Sequence, residues 1–342
     1  MHWVKPAFSR SQVDRAGKFL ATGVEPSPET SQALEVVNNW RAAHAFPLNT
    51  MHISLRRLAT EADPDALTAQ RLKRVESILR KLQRNTQMSL CRMQDIGGCR
   101  AVVRTVADVY KIRESYRRSR IKHHLANEKD YIQQPKISGY RGIHLVYKYN
   151  SDRTETYNNQ QIELQIRSAI QHYWATAVET VGTFLDQSLK SSEGSEEWLR
   201  FFSYTSSLFA HKEGTPPLAN APNKSDLIVA IRAMADQLRV RDTLTVYRNT
   251  LMITEDHEYR RAHYFLLLLE PEAGRLEVRS YRSSEITRAA EEYLEVESEL
   301  TKKPGAQAVL VSVEHLDSLR RAFPNYFLDT ESFLGELDDV LG

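Results

Sequence analysis

Between positions 161 and 167 the chain reads Gln-Ile-Glu-Leu-Gln-Ile-Arg, a strict alternation of polar and apolar side chains. Successive side chains of a strand point to opposite faces, so burying Ile162, Leu164 and Ile166 lines up Glu163, Gln165 and Arg167 on the other side. A fold built on this stretch needs a sheet with one packed face and one polar face. Glu163 is then a candidate metal ligand or general base, the plain alternative being a solvent-facing edge strand. Ser168 to Leu189 follows as a helix carrying His172, Trp174 and Glu179.

Upstream, Lys129-Asp130-Tyr131-Ile132 and Pro135-Lys136-Ile137-Ser138-Gly139-Tyr140-Arg141-Gly142-Ile143-His144 run into the apolar Leu145-Val146-Tyr147. Proline and glycine mark a loop, glycines let a backbone approach a ligand, cations suit phosphate oxygens and tyrosines offer stacking faces. The stretch reads either as a binding loop feeding a strand or as a basic surface hairpin turning at Ser138-Gly139. Asp95 sits in a glycine-rich approach to the strand-like Ala101–Val103. Such a carboxylate is a Mg²⁺ ligand or a turn and capping residue. Helices are expected over Asp65–Asn85 and Arg104–Lys122, each with a cationic face that is either solvated or matched to phosphates.

The first 60 residues read as three helices, Ser9–Leu20, Glu29–His44 and Met51–Thr60, with breaks at Glu25–Pro28 and Pro47–Thr50. After a loop-rich linker at 214–223, a helix over Lys224–Val240 precedes strands at Asp242–Thr254, Ala262–Glu270, Arg275–Tyr281 and Ala306–Val313, with a helix over Ser284–Leu300. The expected class is α+β: a mixed sheet flanked by helices, then a C-terminal antiparallel sheet with helices. The divisions are 1–60, 61–212 and 213–342. With 41% hydrophobic and 26% charged residues and no apolar run near membrane-spanning length, the expected setting is cytoplasmic and off the membrane. Cys91 and Cys99, without a CxxC pair, read as buried thiols. The net charge of +2 hides a division: thirteen acidic against five basic residues from Glu285 onward make that tail net -8 and the remainder net +10.

Taken in order, Arg71-Leu72-Lys73 with Lys81, Asp95–Arg100, Lys129–Tyr131, Pro135-Lys136, Gly139–His144, Ile162–Arg167 and Trp174-Ala175 resemble the RelA/SpoT synthetase family over roughly residues 60 to 210. The resemblance implies transfer of pyrophosphate from ATP to a ribose 3′-hydroxyl. It implies that Arg71 and Arg100 sandwich adenine, that Lys73, Lys81 and Lys129 hold the triphosphate, and that Asp95 and Glu163 hold Mg²⁺, with Glu163 drawing the proton from the attacking hydroxyl. Tyr140 would stack the acceptor base, with Lys136, His144, Gln165 and Arg167 around phosphates. Gly142 stands where the family usually has serine. No His-Asp dipeptide is present, so the alarmone hydrolase of the long bifunctional members is not expected.

The segment Leu316 to Phe327, with Phe323 and Tyr326 about a Pro-Asn turn, resembles the fused toxin–antitoxin members of the same family. There a C-terminal zinc-finger-like domain without metal ligands folds back, and an aromatic-x-x-Tyr segment covers the ATP site. Phe323 replaces the usual first tyrosine. This resemblance implies an autoinhibited enzyme that pyrophosphorylates the 3′ CCA end of tRNA and is released by a phage protein such as a capsid subunit. The basic helices would be an RNA track and the acidic tail its internal competitor. The other readings are a GDP- or GTP-using alarmone synthetase and an inactive RNA-binding module.

Overall fold

Ser9 starts the first helix by a reciprocal cap, its hydroxyl accepting from the Gln12 N–H while the Gln12 side chain accepts from the Ser9 N–H. The computed structural model describes residues 3–23, 25, 27–184, 195–249, 252–255, 262–270, 272–300, 303, 306–312, 316–327 and 330–342. Helix α1 is Arg10–Leu20, and α2 is Pro28–Ala43, capped by Ser27 with proline at its start. The break expected at 47–50 is absent. Helix α3 runs Ala45–Ala62 with Pro47 in the first turn, where a missing N–H forfeits no helical bond.

The helix expected over Asp65–Asn85 divides into strand β1, Leu67–Leu72, and helix α4, Val75–Arg84. Its first half is captured by neighbours on both edges: β2 (Gly97–Val103) on one side and a strand near residue 311 on the other. Helix α5 (Val106–Arg118) is shorter than the expected 104–122 and begins at a Thr105 cap. Strands β3 (His124–Asp130), β4 (Ile143–Lys148) and β5 (Gln161–Ser168) follow, then helix α6 (Ala169–Phe184). The part of that expected helix beyond 184 lies outside the described residues.

Helices α7 (Glu196–Glu213), α8 (Lys224–Gln237) and α9 (Val240–Asn249) come next. Where a strand is expected over Asp242–Thr254, the chain forms α9 and then strand β6 (Met252–Glu255), with 250 and 251 outside the described residues. Val240 and Leu244, four apart, are buried against the α6–α8 cluster, which rewards the helical period. Strands β7 (Tyr264–Glu270) and β8 (Arg275–Tyr281), helix α10 (Ile286–Leu300), strand β9 (Gln307–Ser312) and helices α11 (Leu316–Ala322) and α12 (Glu331–Leu341) complete the chain. Position 313 of the last expected strand lies outside the described residues.

All nine strands join one sheet in the order β3-β4-β5-β2-β1-β9-β7-β8-β6. The pairs β2·β5 and β6·β8 are parallel and the others antiparallel, so the sheet is mixed and β6 departs from the antiparallel pattern expected for the C-terminal strands. The two halves meet where β1 pairs with β9, Gln70 opposite Ser312 and Arg71 opposite Val311. On one face Cys99, Ala101, Leu145, Leu164 and Ile166 pack against α3 and α5 through Met51, Leu55, Val109 and Ile112. Helix α10 covers the C-terminal strands through Ala289, Tyr293 and Val296.

The opposite face is polar in the first half and apolar in the second. One register row there runs Lys129, His144, Gln165, Arg100 and Ala69 across five strands. Beside it Ala69, Phe265, Leu267, Val309 and Val311 bury Leu319, Phe323 and Tyr326 of the α11 segment. Helix α12 packs through Phe333 and Leu337 into the cluster that contains Trp174, Phe202 and Tyr140.

Candidate active site

Asp95 is gripped by two ammonium groups. Lys73, in the short link from β1 to α4, donates to Oδ2 at 2.8 Å, and Lys81, on α4, to Oδ1 at 2.9 Å. The link is pinned by the Lys73 N–H to the Ile96 carbonyl at 2.8 Å, and α4 by its buried Ile78 and Leu82. Burial alone would raise the Asp95 pKa; the two lysines override it and hold the carboxyl at about 2. Burial in turn lowers Lys73, opposed by Asp95. Asp95 therefore lies in the turn that leads into β2 and is at the same time an anion clasped by two lysines.

Around Glu163 the polar face closes a hydrogen-bonded ring. Arg167 Nη2 donates to the Tyr140 hydroxyl (2.7 Å), which shares a hydrogen bond with His144 Nε2 (2.5 Å), and His144 Nδ1–H donates to Glu163 Oε1 (2.8 Å). Gln165 closes it, donating to Glu163 Oε2 at 2.7 Å and accepting from Arg167 Nη2 at 3.0 Å. Burial pushes the Glu163 pKa up, and the neighbouring His144 more than reverses that. The carboxylate is ionised, oriented and partly desolvated, which is what a general base or metal ligand requires.

The loop that carries Tyr140 takes its shape from two glycines. At Gly139, φ +91°, a Cβ would stand 2.8 Å from Ser206 Cβ; at Gly142, φ +143°, it would stand 3.1 Å from Arg167 Cγ. Gly142 thus lets the Arg167 side chain lie against the loop. Arg141 is buried and structural, bonding Ser206 Oγ and the Ile132 carbonyl. Tyr140 is itself buried, with Lys136 Nζ and the Arg167 guanidinium each 4.9 Å from its ring centroid, so stacking of a base on it requires Lys136 to move. Lys129 stands exposed on β3, across the register from His144.

The second aromatic segment reaches the same face. The Arg100 guanidinium lies 5.8 Å over the Phe323 ring, and Nη1 donates to the Ala322 carbonyl at 3.2 Å. His172 Nε2 donates to the Arg321 carbonyl at 3.1 Å. Phe323 closes one wall of a cavity of about 60 Å³ that Arg71, Lys73, Asp95, Arg100 and Glu163 also line. Tyr326 packs edge-on to Phe323 and is 1% exposed, underpinning the ring rather than facing the cavity. His172 was legible only as a histidine on a helix; its approach to Arg100 depends on how α6 crosses the sheet.

Several expected features sit differently. The basic helices are largely neutralised: Arg113 and Arg117 pair with Glu128, Lys111 with Asp108, Lys122 with Asp152 and Arg80 with Glu76. Acidic α12 does not lie on α4 or α5; it pairs Glu336 and Asp339 with Lys212, and Asp338 with Arg241. Cys99 is buried, while Cys91 is only half-buried. Among the described residues no cluster of three or more His, Cys, Asp or Glu could hold a metal, and no helix is long and apolar enough to cross a membrane.

Residues 70–182 match the family model described as the region found in RelA / SpoT proteins. GTP pyrophosphokinase YwaC of Bacillus subtilis is 30% identical over 159 residues, covering 41% of this chain and 73% of the relative. GTP pyrophosphokinase YjbM of the same organism is 34% identical over 108 residues, 31% of this chain and about half (51%) of that protein. Among solved structures, small alarmone synthetase 2 from Bacillus subtilis aligns with a TM-score of 0.43 at 23% identity, over 51% of this chain and 91% of the other. With the family region matched and one relative 30% identical across nearly three quarters of its length, the chain belongs to the RelA/SpoT synthetase family of pyrophosphokinases.

Proposed function

We propose that this chain is an ATP-dependent pyrophosphokinase whose C-terminal segment holds it inactive, and that its acceptor is the 3′-hydroxyl at the CCA end of tRNA, which would arrest translation in defence against phage. The observation that carries the autoinhibited reading is the Phe323 ring lying over Arg100 in the wall of the cavity that also holds Asp95 and Glu163. Arg71 and Arg100 are planar cations suited to an adenine, and Phe323 stands where that base would lie. Lys73 and Lys81 would exchange Asp95 for triphosphate oxygens, with Lys129 entering from β3.

Asp95 and Glu163 border one cavity, and two carboxylates completed by substrate phosphates suit Mg²⁺. The ion would neutralise charge on the phosphates. Glu163 would take the proton from the 3′-hydroxyl as its oxygen bonds the β-phosphorus; the bond from that phosphorus to the α-phosphate bridge breaks and AMP leaves. The ring of Tyr140, His144, Gln165 and Arg167 orients Glu163 for that proton, while Lys136, Tyr140 and their neighbours receive the acceptor. Positioning and electrostatics are the main resources such a transfer needs.

A second reading, a GDP or GTP acceptor, is favoured by relatives named GTP pyrophosphokinases. An inactive RNA-binding module is disfavoured by the intact Glu163 ring and by cationic helices that are already paired. The test is label transfer from ATP carrying label in its β or γ phosphate, using full-length protein with Tyr326→Ala to weaken the closure. Label on deacylated tRNA is the expected result. Label on GDP or GTP with tRNA unmarked assigns the second reading, and no transfer to any of them removes the enzyme. In this reading the C-terminal half is the sensor, and a phage protein such as a capsid subunit is the trigger; adding such proteins to the parent chain should raise transfer.

A further inference from the structure

Three buried nitrogens on the polar face and the helix beside it have no hydrogen-bond partner: Arg100 Nε, Arg167 Nε and His172 Nδ1. Burial is the main influence that disfavours a charge on Arg100 and on His172, and Arg167 adds to it at both. Arg167 and His172 are 3% and 2% exposed. Buried donors left without partners are costly in a folded chain, since each has given up water without a replacement bond. Glu179 is the nearby carboxylate that offsets part of their charge.

What the cluster does hold is revealing. Arg100 Nη1 and His172 Nε2 donate to the carbonyls of Ala322 and Arg321, consecutive residues at the end of α11. Two adjacent oxygens, carrying the partial negative charge of a helix C-terminus, stand where convergent donors from β2 and α6 meet. A tetrahedral oxyanion offers the same paired acceptors with full charge, and planar guanidinium groups are the donors that recognise it best.

We propose that Arg100, Arg167 and His172 form an oxyanion subsite that takes a phosphate group of a substrate, and that the Arg321 and Ala322 carbonyls fill it in the closed state. The proposal rests on the nucleotide-transfer reading of this face and assigns His172 a binding role that the motif residues lack. It also makes closure a substitution at two places, the ring over Arg100 and the backbone over the phosphate donors. The phosphate belongs either to ATP or to the acceptor.

The test uses the full chain with Phe323→Ala, which loosens the segment. In that background His172→Phe, which fills the volume without a donor, should raise KM at least tenfold for one substrate with kcat within threefold; His172→Gln, which can keep a donor, should stay within threefold of the background. A rise confined to ATP assigns the phosphate to the donor, and one confined to the acceptor assigns it there. Independently, titrating inorganic phosphate into Phe323→Ala protein labelled with ¹⁵N-histidine should shift the His172 resonance saturably, and less in the parent chain. Unchanged KM values in His172→Phe, or no saturable shift, overturn the subsite while leaving the pyrophosphokinase reading intact. A saturable shift in a protein that transfers no label supports the subsite and removes that reading. Should His172→Phe fail to fold, the titration and the Gln variant decide: no saturable shift, or a Gln variant whose KM is raised tenfold together with loss of kcat, counts against it.

Discussion

Replacing Phe323 by alanine should change how this enzyme meets ATP rather than how fast it turns over. The ring is 2% exposed and sits 5.8 Å from the guanidinium of Arg100, a half-buried residue whose Nε is shut off from solvent. A desolvated cation–π contact of this kind contributes about 2 kcal/mol. Because 1.4 kcal/mol is tenfold in an equilibrium, losing it shifts closed against open by up to about 30-fold. On the proposed reading the ring stands in the space assigned to adenine, so ring and nucleotide would compete. Competition lowers apparent affinity by the fraction of molecules that are open. The expected outcome is an ATP KM lower by up to about 30-fold, with kcat unchanged at saturation, measured as initial rates of label transfer across an ATP series. A cooperatively melting Phe323→Ala protein with the parent's KM would refute the reasoning, because the ring would then not be what ATP displaces.

Glu163→Gln should keep ATP binding within a few fold and lower kcat by about 10²–10⁴, the usual worth of a positioned base, in single-turnover transfer; unchanged turnover removes Glu163 from the chemistry. Asp95, held at about 2, contributes stability that is complete above the ordinary carboxylate range near 4 and is lost as pH falls from there through about 2. The free energies of urea unfolding of parent and Asp95→Asn should therefore differ by about 2 kcal/mol at pH 7 and converge as pH falls from about 4 to about 2; a gap independent of pH contradicts the lysine clasp. Glu297 of α10 accepts from Val75 N–H at 3.0 Å and from Arg41 at 2.9 Å, so the C-terminal half caps the helix that carries Lys81. Glu297→Ala should cost about 3–5 kcal/mol from the broken buried pair and speed amide exchange over Val75–Arg84; undisturbed exchange there denies the cap.

Much of the first half was legible because its signals are local. The alternation at 161–167 puts Glu163, Gln165 and Arg167 on one face whatever surrounds it, and the strand forms over those residues. The first two helices begin within one residue of the expected positions 9 and 29, and Ser9 and Ser27 cap them. Strand β8 spans the expected 275–281. The two largest failures are long-range. Leu67–Leu72 carries apolar residues compatible with a helix, and becomes a strand because β2 and β9 complete its hydrogen bonds on both edges, the latter from some 240 positions away. Residues 240–249 become a helix because α6 and α8 provide a surface for Val240 and Leu244.

By itself the sequence determined which side chains share a face, that the loop turns at Ser138-Gly139, and which polar groups are available for phosphate chemistry. These follow from the period of a strand and from backbone sterics, both set by neighbours in the chain. Only the tertiary structure decided that Asp95 lies between Lys73 and Lys81, that Phe323 meets Arg100, that His172 donates to the tail, and that Glu297 caps α4. Those contacts join residues far apart along the chain, and they exist because the sheet continues from β1 into β9, bringing a C-terminal apolar face up to an N-terminal polar one.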